Sequence, residues 1–222
     1  MCYSYRDTAV VVVGGELEIR TYALGDLPPL LRRCTALGHK IFTDYNYDLN
    51  LIACRSPSRE AGVFDDMFYV IYRMGDRYIQ EAYPCTTDAG LYWLYNPSRV
   101  EGTAILVAGQ YRGVYKLDMH AGRYLALCQR NGAVAVYRDN NRDHILDHDP
   151  NTIQLGTNFG INIHRASAHS TQENGLTENV GRYSAGCVVI QASADFDRLI
   201  ALAKKQRDTL GYDTFSLTLL ED

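Results

Sequence analysis

The sequence predicts a mainly β protein with few helices, of the α+β class. Apolar and polar residues alternate with a period of two in many short segments, and glycine or proline separates these segments. The Asn131-Gly132 pair, between two such segments, is a strong signal for a β-hairpin. With 222 residues, 46% of them hydrophobic, the chain is long enough to bury a core without disulfides or metals.

The individual elements follow from local patterns along the chain. A helix is predicted to begin at Leu27-Pro28-Pro29, to run through Leu37 and to end at Gly38. A strand over 66–74 is followed by a Gly75-Asp76 turn and by a second strand that ends at Tyr83. Further strands are predicted over 104–107, 113–117, 125–129 and 133–137.

The C-terminal part of the chain predicts one helix and a closing strand. The helix is predicted over 195–207, because four apolar residues share one face at helical spacing: Phe196, Leu199, Ile200 and Ala203. Alternating apolar residues then predict a strand through Phe215, Leu217 and Leu219.

The segment Ser184-Ala185-Gly186-Cys187, followed by three apolar residues, is typical of the nucleophile of a cysteine enzyme. A thiol needs a base to become a nucleophile near pH 7, and His164 stands at the end of the alternating segment 159–165. We expect the amides of Gly186 and Cys187 to face a developing oxyanion. For Ser184 we expect a local hydrogen-bonding role.

In this segment a histidine closes an apolar strand, a loop follows, and Ser-x-Gly-Cys begins another strand. This order resembles that of the YkuD-type L,D-transpeptidases. The resemblance is specific over 159–190 and weaker over 100–222. It implies an L,D-transpeptidase-like β-sandwich or barrel, a thioester on Cys187, His164 as the base and peptidoglycan stem peptides as substrates. It implies no cofactor. We expect water as the acyl acceptor, which makes the protein an L,D-carboxypeptidase or endopeptidase; an amine acceptor would make it a transpeptidase.

Two departures from the family pattern affect the predicted substrate contacts. Ala185 stands where the family usually has histidine, and Val189 stands where many members have arginine. We therefore expect a substrate-facing cation from Arg165 or Arg182. Tyr111 is a further candidate for contact with an anionic stem peptide.

The base has an alternative in the same region of the chain. His169 fits the family's common interval to the cysteine better than His164 does. It lies among Ser, Thr, Gln, Glu, Asn and Gly, a composition typical of a mobile loop. His164 is therefore the first candidate and His169 the second.

Two other functions are compatible with these residues. One is a binding protein without turnover that uses the same fold to hold peptidoglycan or a partner. The other is a cysteine peptidase or amidase that acts on different bonds.

Composition argues against several classes of partner. The net charge of -4, without a basic stripe, argues against nucleic acid. The six cysteines form no CxxC pair or Cys/His cluster, so neither a zinc site nor a redox motif is predicted. No apolar segment is long enough to span a membrane.

One polar segment resembles a calcium loop. Asp139, Asn141 and Asp143 supply oxygen atoms at alternating positions. His144 and Pro150, however, stand where a complete loop needs glycine and a bidentate acid. We therefore predict a polar turn and assign no metal ligands.

The N-terminal region bears on localisation and domain organisation. Residues 1–7 lack a basic region and the apolar run at 10–13 is short, which predicts synthesis in the cytoplasm without a signal peptide. We expect action in the periplasm or cell wall after release or delivery, as for an endolysin-like protein. The turn-rich segment 86–102 suggests an N-terminal subdomain, 1–95, without an assigned role, and a catalytic domain, 96–222.

Overall fold

The computed structural model describes residues 9–10 and 18–221. Residues 1–7 and most of the apolar run at 10–13, on which the prediction about a signal peptide rests, lie outside this part of the chain. The strands are β1 Ala9–Val10, β2 Glu18–Ala23, β3 Asn50–Cys54, β4 Asp66–Met74, β5 Arg77–Thr86, β6 Thr103–Leu106, β7 Gly109–His120, β8 Tyr124–Gln129, β9 Val134–Asp139, β10 Gln154–Gly156, β11 Ile163–Arg165, β12 Val188–Ile190 and β13 Thr214–Leu220. The helices are α1 Pro29–Ala36, α2 Leu91–Tyr95 and α3 Ser193–Leu210, with a 3-10 turn at Pro150–Thr152.

Eight strands close into a barrel in the order β5-β12-β11-β8-β7-β13-β3-β4, with β4 pairing back to β5. β2 and β1 extend the sheet beside β5, and β6, β9 and β10 form a separate sheet. The pairs β11–β12 and β3–β13 are parallel, whereas the other barrel pairs are antiparallel. The prediction of a mainly β fold with few helices is confirmed. Strands from both sides of residue 95 belong to this one barrel.

Helix α3 connects β12 to β13 and completes the core. The four residues of its predicted apolar face are buried in the same cluster as side chains from the barrel strands. Leu199 and Ala203 are fully buried. A buried leucine contributes about 1.5–3 kcal/mol relative to an exposed one, so this face holds the helix on the barrel.

A buried carboxylate also attaches α3 to the barrel. Glu81 on β5 has no exposed surface and accepts hydrogen bonds from the hydroxyls of Tyr72 (2.8 Å) and Tyr83 (2.7 Å). Arg198 of α3 donates to both oxygens of the same carboxylate. Each donor satisfies a charge that would otherwise be costly to bury.

Helix α1 begins and ends close to the predicted residues. Proline occupies its first turn, and Gly38, with φ of 78°, follows its C-terminal end. Leu31 and Cys34 pack against side chains of β3, β4 and β13 in a second apolar cluster. Among the described residues, no helix is long and apolar enough to cross a membrane.

The predicted hairpin at Asn131-Gly132 is wrong. β8 pairs with β7 and β11 in the barrel, whereas β9 pairs with β6 and β10 in the separate sheet. Asn131 and Gly132 carry the chain between the two sheets, and the Asn131 N–H donates to the Val114 carbonyl (3.0 Å). The Asn-Gly pair indicates only a local change of chain direction. The pairing partners of β8 and β9 depend instead on which sheet buries the apolar face of each strand.

Candidate active site

The parallel pairing of β11 and β12 brings the predicted base and the predicted nucleophile onto neighbouring segments. His164 is in register with Val189, and Cys187 directly precedes β12. The Val188 N–H donates to the Asn162 carbonyl (3.0 Å), which places Cys187 beside Asn162. Cys187 and His164 therefore lie on neighbouring segments, offset by two residues along the chain direction.

The Cys187 thiol is held by backbone groups of the segment before β11. Its Sγ donates to the Gly160 carbonyl (3.3 Å) and accepts a weak hydrogen bond from the Asn162 N–H (3.4 Å). The residue is partly exposed, but the atoms packed around the sulfur raise the pKa of the thiol to about 11, against the opposing effect of the Asn162 N–H. The thiol is therefore protonated at pH 7.

His164 is buried, and its hydrogen bond fixes its tautomer. Its Nδ1 lies 2.9 Å from the Arg165 carbonyl, which only accepts, so Nδ1 carries the proton. Nε2 is then left with a lone pair. Burial, and next the neighbouring His120, lower the pKa of His164 to about 4, so the ring is neutral at pH 7. Among the described residues, no hydrogen bond joins His164 to Cys187, and the resting pair is an uncharged thiol and an uncharged imidazole.

A second histidine, His120, belongs to the site and was not predicted. Its ring stacks on that of His164 with a centroid distance of 4.4 Å. Burial lowers its pKa, and the positive charges of Arg130 and Arg123 add to this effect. The sequence places His120 only among exposed hairpin residues. Its proximity to His164 depends on the pairing of β7, β8 and β11, which no local signal near residue 120 reveals.

Asn162 fixes the tautomer of His120. The Asn162 Oδ1 accepts from the Gln129 N–H (2.9 Å), so its Nδ2 must face the Nδ1 of His120, 3.2 Å away. Nδ2 can only donate, so Nδ1 of His120 accepts and the proton lies on Nε2. Through its backbone N–H, Asn162 also contacts the Cys187 sulfur. One asparagine thus links the histidine pair to the thiol.

A cleft of about 510 Å³ opens beside the stacked histidines. His120 and His164 both line it, together with Arg123, Arg165 and Arg182. Arg165 and Arg182 were predicted as substrate-facing cations, and both line this cleft. Arg123 was not predicted, because its approach depends on the turn between β7 and β8.

Aromatic rings hold two of the cleft arginines. The guanidinium of Arg165 lies 4.5 Å from the ring centre of Tyr124, and that of Arg182 lies 3.8 Å from the ring centre of Tyr92. Such contacts hold each guanidinium against its ring and leave N–H groups available to a ligand.

The structure does not place Tyr111 at the cleft. Tyr111 is buried, and its hydroxyl donates to the carbonyls of Val107 (2.5 Å) and Ala135 (3.3 Å). This burial keeps the Tyr111 side chain in the core, where it supports the fold, so the geometry does not support the predicted substrate contact. His169 is exposed on a loop outside the cleft lining, whereas His164 lines the cleft.

Ser184 and Gly186 shape the turn before the thiol. Ser184 is fully buried, and its Oγ donates to the Cys187 carbonyl (2.8 Å) and accepts from the Gly186 N–H (3.1 Å), a local role of the kind predicted. This bond occupies the Gly186 amide, so the geometry does not support the predicted contact of that amide with an oxyanion. Among the described residues, no group accepts from the Cys187 N–H, which is left as the available backbone donor.

Gly186 is required by a close contact within the fold. Its φ is +113°, and a Cβ built on it would lie 2.4 Å from the Ala104 carbonyl oxygen. A side chain at this position would push the turn away from β6. The glycine therefore positions Cys187 by allowing the backbone to approach Ala104.

The segment that resembles a calcium loop is closed by its own hydrogen bonds. Asn141 Nδ2 donates to Asp143 (3.0 Å) and Asp147 (2.8 Å), and the Asp147 N–H donates to Asp139 (3.0 Å). Within residues 18–221, no group of three His, Cys, Asp or Glu side chains is placed to hold a metal ion.

Comparison with known proteins identifies no relative. No family model, no curated protein and no solved structure matches this chain. The resemblance to YkuD-type L,D-transpeptidases therefore stays a prediction from the sequence, and so does the L,D-transpeptidase-like form of the barrel.

Proposed function

We propose that the protein is a cysteine-dependent acyl-transfer enzyme in which Cys187 is the nucleophile and His164 is the base. The observation that carries this proposal is the tautomer of His164, which leaves Nε2 free to accept a proton. His164 lies on the strand next to the segment that carries the partly exposed Cys187 thiol. With its proton on Nε2 instead, His164 would direct its only lone pair, on Nδ1, at the Arg165 carbonyl and could not accept the thiol proton.

In the proposed mechanism both groups begin uncharged. On substrate binding the thiol leaves the Gly160 carbonyl and turns towards His164. Sγ attacks the amide carbon as its proton passes to Nε2, and the Cys187 N–H stabilises the oxyanion. The imidazolium then protonates the departing amine, which leaves a thioester. Water attacks the thioester, gives a proton back through His164 and releases the acid together with the free thiol.

The proposed substrate class is the peptidoglycan stem peptide, on an L,D-transpeptidase-like fold. Support comes from the segment 159–190, whose strand, loop and Ser-x-Gly-Cys order resembles that family. The cleft arginines also suit a peptide that carries free carboxylates. Action in the cell wall is part of the same proposal.

Mass spectrometry of peptidoglycan fragments tests this function. Tetrapeptide monomers and cross-linked dimers are incubated with the wild-type protein, with Cys187→Ala and with Cys128→Ala, whose cysteine is buried. We expect loss of a terminal residue or splitting of dimers with the wild type and Cys128→Ala, but not with Cys187→Ala. Unchanged fragments with all three proteins would refute the peptidoglycan substrate.

A second candidate is a binding protein that uses the same cleft without turnover. The raised pKa of Cys187 and its hydrogen bond to the Gly160 carbonyl favour it, because both make the resting thiol unreactive. Fragments that bind equally well to the wild type and to Cys187→Ala, and that neither protein changes, would support this candidate.

A further inference from the structure

The cleft beside the histidines is positively charged on several sides. Arg123, Arg165 and Arg182 line it, and no carboxylate is among its lining residues in the part of the chain that the structure describes. Its volume of about 510 Å³ falls within the usual range for small-molecule sites. Like charges gathered in one concave site repel each other, and an anion would relieve this repulsion.

The arginines have little internal compensation. The nearest carboxylate to Arg165 is that of Asp197, at 3.8 Å, and Asp197 is 71% exposed, so solvent screens the pair. Arg182 stacks on the ring of Tyr92. Arg123 is exposed, and no described carboxylate forms an ion pair with it. All three guanidinium groups are therefore free to form hydrogen bonds to a ligand.

His120 adds a neutral donor to this charged site. Its Nδ1 accepts from Asn162, so the only N–H of the ring is at Nε2. Among the described residues, none accepts a hydrogen bond from that N–H. A neutral donor beside guanidinium groups is suited to an oxygen of an anion, since it adds a hydrogen bond without further charge repulsion.

We infer that this cleft binds an oxyanion, a carboxylate or phosphate group, through Arg123, Arg165 and Arg182, with the Nε2–H of His120 as a fourth donor. The inference rests on the proposed function in one respect: the bound anion is taken to be a group of the substrate. In that case the anion lies beside the base His164, and Asn162 connects its binding site to the Cys187 sulfur. His120 then acts as a specificity residue that touches the ligand.

Calorimetric titration with inorganic phosphate and with succinate, at constant ionic strength, tests the inference. We expect saturable binding of at least one of the two anions, and the preferred one distinguishes a phosphate from a carboxylate ligand. Loss of one charge-assisted hydrogen bond should weaken binding about tenfold, so we expect this change for Arg123→Gln and for Arg165→Gln. His120→Phe, which retains an aromatic ring without the donor, should weaken binding several-fold.

Matched controls separate a built site from general attraction. Arg112 is exposed on β7 and outside the cleft, so Arg112→Gln removes the same charge and should leave binding unchanged. Equal weakening by Arg112→Gln and Arg123→Gln, or no saturable binding of either anion, would overturn the inference. Cys187→Ala should bind the anion like the wild type. Anion binding without any cysteine-dependent turnover would refute the proposed function and leave the anion site standing.

Discussion

The reactivity of Cys187 towards an alkylating reagent follows from its surroundings. Packing around the sulfur raises the pKa of the thiol from an ordinary value of 9.0 to about 11. This rise of about two units in the pKa makes the thiolate fraction at pH 7 about a hundredfold smaller, and the thiolate is the species that reacts. We therefore expect iodoacetamide to modify Cys187 in the folded protein about a hundredfold more slowly than an ordinary thiol, with a tenfold gain for each pH unit up to about pH 10.

Peptide mass spectrometry after timed quenching gives the rate for Cys187 itself. The matched control is the same cysteine in urea-unfolded protein, where the surrounding atoms no longer suppress ionisation. A rate in the folded protein that levels off below pH 8 would show a thiolate near neutral pH. That result would refute the uncharged resting pair and would indicate an ion pair between the thiolate and a protonated histidine.

Three further predictions concern the fold that positions the site, and urea unfolding measures each of them. Glu81→Gln should lower the free energy of unfolding by about 2 kcal/mol, because the buried carboxylate loses its charge-assisted hydrogen bonds from Arg198, whose side chain is 44% exposed and stays solvated. Gly186→Ala should lower it by about 2 kcal/mol or more, through the clash with the Ala104 carbonyl and the strained φ. The pKa of His164 is 6.5 in the unfolded chain and about 4 in the fold. Between these two pH values the unfolded chain binds a proton that the folded protein does not. The contribution of His164, about 3 kcal/mol, is therefore present above pH 6.5 and lost between pH 6.5 and 4, and His164→Gln should make this loss smaller.

Each of these changes has a control in the same chain. Glu173 and His144 are exposed, so Glu173→Gln and His144→Gln should have little effect on stability. Gly38 has φ of +78° but open space around it, so Gly38→Ala measures backbone strain without the clash. A loss for Gly186→Ala no larger than that for Gly38→Ala would show that the contact with Ala104 is unimportant.

Local patterns were sufficient for the elements whose ends carry strong signals. The strand over 66–74 and the turn at Gly75-Asp76 have the predicted bounds, because glycine and aspartate interrupt the alternation at that point. The helix over 195–207 lies within α3, since its four apolar residues all pack in the core. In both cases the local pattern and the buried surface agree.

The contacts that define the barrel and the cleft depend on residues far apart in sequence. The partner of β8 could not be read from Asn131-Gly132, since the choice between two sheets is made by the buried faces. His120 lies 44 residues before His164, yet the two rings stack. Tyr111 stands in a polar segment, but the pairing of its strand with β13 turns it into the interior. No local signal distinguishes these outcomes.

The central claim is that Cys187 forms a covalent acyl intermediate with His164 as the base. The most direct measurement is mass spectrometry of the protein after rapid acid quenching of a reaction with purified tetrapeptide fragments. We expect an acyl adduct on the peptide that contains Cys187, formed much more slowly by His164→Gln and absent from Cys187→Ala. Turnover of the fragments that persists in Cys187→Ala would contradict the account.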